Sequence, residues 1–285
     1  MKKEKFDYVC SIGASCLCAS SLKDAGLRLS SGPLDWVSGS ATLLDRVAMI
    51  ESDFAHCFDA ADFQYVGNPN GFDHESWINR RTGITFPHDF DPGVPFADMF
   101  GKVQDKYRRR AARFYERIEL SGRVLLVWLQ DPIRDERRPA DAEVEEAVRR
   151  LNARFAGHKI ELLVLDRASD DGESSTIVRH DGFWRGECAY RRKTTMSDNP
   201  RPWDIDTSSI VEMLSFVETV DYRNKGQRDR FDAEIRRLRS ERYRAGNWFS
   251  YVLVRLQVKI AKLILNRLRR RGISVKRVFE MQIAE

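Results

Sequence analysis

The runs RVLLVWL (123–129) and KIELLVL (159–165), on either side of DAEVEEAVRRLNARF (141–155), decide the fold class. Each outer run is seven residues long with an apolar body, as expected of a strand buried on both faces, and the segment between them reads as a helix. Strand, helix and strand in that order imply a parallel pair joined by a right-handed crossover. The expected class is therefore α/β, with a mostly parallel central sheet flanked by helices in three layers.

Outward from this unit the alternation continues. Residues 6–12 form a short apolar run read as a strand, and 16–25 a helix closed by Gly26. A second helix is expected over 42–50, a short strand over 83–86, and a strongly basic helix over 102–118. Residues 168–208 are rich in turn formers (SDDGESS, HDGFWRG, SDNPRPWD) and read as a long functional loop or a small irregular sheet. Helices are expected again over 210–220 and 227–244.

The chain of 285 residues, 42% hydrophobic, is large enough to bury one substantial core. Its net charge of +5 is uneven, because the eleven Lys or Arg and two Glu after residue 241 carry +9 and leave −4 on residues 1–241. The main body thus lacks general polyanion-binding character, and nucleic acid is not expected as a partner. The expected division is a thiol-bearing α/β domain over 1–225 and a helical, basic, amphipathic extension over 226–285. Within the extension, WFSYVLVRLQVKIAKLILN (248–266) runs into RLRRRG. Arg255, Lys259, Lys262, Asn266 and Arg270 follow at intervals of three or four and leave the rest of that helix apolar, so 248–271 needs cover from the domain, a second copy or an anionic membrane surface. No uncharged apolar stretch reaches the length of a membrane span, and the N-terminal run is too short for a signal peptide. Five scattered cysteines argue for a reducing compartment. The expected location is cytoplasmic, with peripheral attachment at the inner face of the membrane as the open alternative.

Three of those cysteines stand in VCSIGASCLC (9–18). A strand ending at Ile12, the turn Gly13-Ala14-Ser15 and a following helix put Cys16 at the first helical position, where unpaired N–H groups and the positive end of the helix dipole converge. That setting lowers a thiol pKa, and the N–H groups around Gly13, Ala14, Ser15 and Leu17 could hold an oxyanion. Cys18 points about 200° away around the helix, and Cys10 lies inside the strand. Plain packing remains an alternative for Cys16, and C-x-C without a second ligand pair is not a metal site. Of the five histidines, His88 in FPHDF stands at the exit of a strand, suited to serve as a base. Asp89 beside it should face the other way. Spacing does not choose between Asp35 in GPLDWV and Asp166 at the end of KIELLVLD as a third residue; Asp35 is taken first, to orient His88 or to brace the cysteine turn, with capping of the next segment as its alternative, and Asp166 second.

These motifs resemble a bacterial family of unknown function described as papain-like cysteine peptidases. The family's S-L-G-x-x-C matches the turn ending in Cys16, its G-L-R matches Gly26-Leu27-Arg28, and its P-F-D-W matches Pro33-Leu34-Asp35-Trp36. Its G-I-x-F and H-D match Gly83-Ile84-Thr85-Phe86 and His88-Asp89, and its basic helix matches residues 106–114. Leu34 replaces the family's Phe and keeps an apolar contact. The resemblance implies a Cys16–His88 pair performing acyl transfer on a peptide, ester or glycan substrate without a cofactor. Alternatives are a thiol-dependent acyltransferase of surface polysaccharide or envelope glycan synthesis, for which coenzyme A thioester would be the donor and Arg108 to Arg110 its phosphate contacts, and a non-catalytic binding module.

Overall fold

A computed structural model describes residues 2–28, 30–68, 74–131, 138–168, 176–192 and 205–219. All of them belong to the first of two units, Met1–Arg228. The expectations for 226–285, including the 248–271 helix, lie outside the described residues.

In chain order the elements are β1 (Tyr8–Ser11), α1 (Cys16–Asp24), β2 (Ser38–Gly39), α2 (Leu43–Glu51), β3 (Phe63–Gly67), β4 (Glu75–Asn79), β5 (Ile84–Phe90), α3 (Phe96–Glu119) and β6 (Arg123–Leu129). There follow α4 (Asp141–Arg154), β7 (Lys159–Arg167), β8 (Val178–Arg179), β9 (Phe183–Cys188) and α5 (Ser208–Met213). The central sheet has the order β1-β6-β7-β9-β8, with the first four strands parallel and β8 an antiparallel edge. Leu126 of β6 stands opposite Cys10 on one side and Leu162 on the other.

Because side chains alternate along a strand, each central strand feeds two cores. Tyr8, Cys10, Leu126, Trp128, Leu162 and Val164 face one layer with Val47 of α2, Phe114 of α3 and Leu151 of α4. Val9, Leu125, Val127, Leu163 and Leu165 face the other, with Leu22 of α1 and Met213 of α5. The class is thus α/β, with a second, antiparallel sheet of order β2-β5-β4-β3 packed into the first layer through Phe86 and Phe90.

Within the turn-rich region, where a loop or a small irregular sheet was expected over 168–208, the described residues hold a strand of the central sheet, β9, and a two-stranded antiparallel pair of Arg191–Arg192 with Ile205–Asp206. The sequence of β9, FWRGEC, mixes charged residues among apolar ones because Arg185 pairs with the buried carboxylate of Asp166 and with the exposed one of Asp141. Strand β5 runs on to Phe90, so His88 lies within the strand and not at its exit. The helix expected over 210–220 stops at Met213, a 3-10 turn follows, and Val217–Glu218 pairs with Glu4–Lys5.

Candidate active site

The turn from β1 into α1 is built by close approach. A Cβ on Gly13 would stand 2.8 Å from the Leu129 nitrogen and 2.9 Å from the Cys18 Cβ, so only glycine lets the chain pass between β6 and α1. Ser15, extended at φ −145°, precedes a helix whose first residue is Cys16. Cys16 is half-buried, whereas Cys10, Cys18, Cys57 and Cys188 are buried. The Cys18 thiol donates to the Val127 carbonyl at 3.4 Å, and Cys10 belongs to the opposite core.

Two N–H groups of this turn are already used. Ala14 donates to the Leu129 carbonyl at 3.2 Å, extending the sheet, and Gly13 donates to the Ser11 hydroxyl at 3.3 Å. The expected donor set therefore contracts to the residues that follow Ala14. The Cys16 N–H faces its own sulfur and pulls that thiol's pKa down, but burial outweighs it. Burial, and then the Asp131 carboxylate just past the end of β6, push the Cys16 thiol above its ordinary value. The lowering expected from the helix terminus is thus reversed, because losing water costs the thiolate more than one helix end returns.

The three carbonyls of the turn are held from below by one side chain. Arg46 of α2, with no exposed surface, donates to the carbonyls of Gly13 at 2.6 Å, Ala14 at 3.0 Å and Ile12 at 3.4 Å, and its Nε donates to Ala41 at 3.4 Å. Its guanidinium also lies 5.7 Å from the centroid of the Trp128 ring. Leu43, Arg46, Val47 and Ile50 share the buried face of α2 at helical spacing, so an arginine on a core stripe was the sequence signal for this role. Sequence reasoning missed it, and missed Asp131.

His88 is half-buried in β5. The Trp36 ring meets it edge-on at 6.3 Å and the His74 ring at 6.5 Å. Burial lowers the His88 pKa, Asp89 raises it, and His74 and Lys106 lower it further. The imidazole is therefore neutral at pH 7. Asp89 is turned to α3, where it takes a hydrogen bond from Tyr107 at 2.7 Å and pairs with Lys106, as its alternation in the strand predicts. The groups that act on Cys16 and those that act on His88 are separate sets, one from the ends of β1 and β6 and one from the antiparallel sheet and α3.

Asp35 has no exposed surface. Its Oδ2 accepts the Gly32 N–H at 2.9 Å and lies 3.6 Å from Arg28, while Oδ1 has no hydrogen-bond partner. Burial raises its pKa to about 6 against the pull of Gly32, Arg28 and Arg110. Arg28 in turn lies 5.1 Å from the Trp36 ring, whose edge meets His88, so Arg28 and Trp36 stand between Asp35 and His88 in this chain of contacts. Asp166 is held by Arg185 at 2.7 Å and Arg138 at 3.0 Å. The carboxylate that the fold sets against Cys16 is Asp131.

A half-buried thiol at a helix N-terminus, beyond the carboxyl edge of a parallel sheet, marks an α/β protein with a candidate nucleophile where such sheets place their ligands. Residues 7–163, more than half of the chain, match the family described as "Putative papain-like cysteine peptidase (DUF1796)", and the chain belongs to that family. No curated protein and no solved structure matches it. Among the described residues no cluster of His, Cys, Asp or Glu is fit to hold a metal ion, and no helix is long and apolar enough to cross a membrane.

Proposed function

We propose that this protein is a thiol hydrolase or acyl-transfer enzyme in which Cys16 is the nucleophile and His88 its base. The observation that carries the reading is the position of Cys16: of five cysteines it alone is not buried, and it stands at the first position of α1 within the region that defines a cysteine peptidase family. For His88 the support is its place and protonation state, since it stands half-buried beside Trp36 with burial favouring the neutral imidazole a base requires.

In this mechanism the raised thiol pKa matters. Cys16 rests as a neutral thiol, and His88 takes its proton as the sulfur attacks the carbonyl carbon of an ester, thioester or amide. The N–H groups of Ser15 and Leu17 stabilise the oxyanion. His88 then gives the proton to the leaving group, the C–S bond remains, and water or an acceptor hydroxyl releases the acyl group in a second step. Asp131 holds the thiol neutral between turnovers, and Arg46 fixes the turn.

Intact-protein mass spectrometry after incubation with a panel of acyl thioesters, aryl esters and peptide esters tests the reading. One added acyl group, mapped to Cys16 and absent from Cys16→Ser, is the expected result. No acyl adduct with any member of the panel, or an adduct that survives in Cys16→Ser, would overturn it.

A further inference from the structure

Helix α3 carries Lys102, Lys106, Arg109, Arg110, Arg113 and Arg117. At 100° per residue they fall within an arc of about 100°, and no acidic residue of the helix enters it. Asp98, Asp105, Glu116 and Glu119 lie beside the arc on one flank. The stripe runs past the segments that carry Asp35-Trp36 and His88-Asp89. Lys106 pairs with Asp89 next to His88, Arg113 donates to the Ser31 carbonyl at 3.4 Å, and Arg110 faces Asp35. Arg28 joins it from the other side, packed on Trp36.

This much positive charge is more than the fold uses. Asp89 pairs with Lys106 and Asp35 lies within the field of Arg110, while Lys102, Arg109 and Arg113 are exposed and make no ion pair among the described residues. The six cations stand three or four residues apart and repel one another, a cost that Asp98, Asp105 and Glu116, at the same spacing on the flank, offset only in part. The cost is offset when an anion sits across them.

We propose that this face of α3, with Arg28 and Trp36, binds the phosphate groups of a diphosphate- or polyphosphate-bearing substrate whose acyl group is presented to the thiol. The proposal rests on the acyl-transfer reading for the destination of the acyl group, but not for the anion site itself. The charged strip is narrow. A flat membrane or a nucleic-acid duplex laid on α3 would meet Asp105 and the acidic flank together with the basic residues, whereas a small phosphoanhydride would meet the basic arc alone. Trp36 supplies a half-buried aromatic face between the charges and His88, suited to the non-phosphate part of such a molecule.

The test uses the full chain with inorganic pyrophosphate as the probe, titrated calorimetrically at constant ionic strength. Wild type and Cys16→Ser should bind it alike. Lys102→Gln/Arg109→Gln/Arg113→Gln, altered at exposed positions only, should bind about tenfold more weakly or not at all, as expected for removing exposed charges that face a multivalent anion. Phosphatidylglycerol vesicles and a single-stranded oligonucleotide form the comparison arms. Absence of pyrophosphate binding overturns the proposal, as does binding indifferent to the triple substitution. It is likewise overturned if vesicles or oligonucleotide bind through these three residues while pyrophosphate does not. Pyrophosphate binding alongside an unacylated Cys16 would sink the acyl-transfer reading and leave the anion site standing.

Discussion

Replacing Arg46 by Met keeps the volume of the side chain and removes its donors. Two of its bonds are firm, to the carbonyls of Gly13 at 2.6 Å and Ala14 at 3.0 Å, and two at 3.4 Å are marginal. A hydrogen bond from a charged donor contributes about 1.5–3 kcal/mol, so the firm pair contributes about 3–6 kcal/mol. Met also relieves the cost of keeping a guanidinium away from water, which points to the lower end, about 3 kcal/mol. For a domain of this size that is a fall in Tm of about 6–12 °C. Arg46→Lys, with one point charge in place of a fork, should recover less than half. Thermal unfolding followed by circular dichroism reads the fall, and iodoacetamide labelling of Cys16 in the folded variant reads the turn, whose labelling rate should change. A Tm within about 3 °C of wild type, with Cys16 labelling unchanged, would refute the idea that Arg46 holds the nucleophile turn.

Gly13→Ala should cost about 1–3 kcal/mol by overpacking against Leu129 and Cys18, whereas Gly101→Ala on α3, with open space around it, should be neutral or stabilising by up to about 1 kcal/mol; equal Tm values for the two would contradict the packing account. Asp35 is raised to about 6 in the folded chain from an ordinary 3.8. A raised carboxyl favours the folded state while protonated, and that contribution is lost as pH rises through about 6. The stability of wild type relative to Asp35→Asn should therefore fall between pH 4 and pH 7, by about 3 kcal/mol at most, and a difference that stays flat over that range in chemical denaturation would be the contrary result.

The sequence was most informative where burial is uniform. Strands β6 and β7 are wet on neither face, so their apolar runs admitted one reading, and α4 between them followed. Strand β9 was hidden because Arg185 and Glu187 interrupt its apolar residues, and their partners Asp141, Asp166 and Arg138 are distant in sequence. The antiparallel sheet was hidden for a related reason. In β3 and β4 the alternation is blurred by a bulge at Tyr65–Gly67 and by exposed Tyr65 and Val66. At the site, the turn and the first-position cysteine were readable from Gly13 and the helix that follows. The state of the thiol was not, because it is set first by burial and then by Asp131, both of which follow from the parallel pairing of β1 with β6.

The pH dependence of Cys16 acylation by an activated aryl ester, measured in wild type and His88→Ala, tests the central claim most directly. Because burial lowers the His88 pKa and raises that of Cys16, wild type should show a rate that climbs through an inflection below 6.5 and levels off near neutrality. In His88→Ala that limb should vanish and leave only a rise above pH 9, where the thiol ionises by itself. The claim is contradicted if wild type and His88→Ala share one profile that follows thiol ionisation alone.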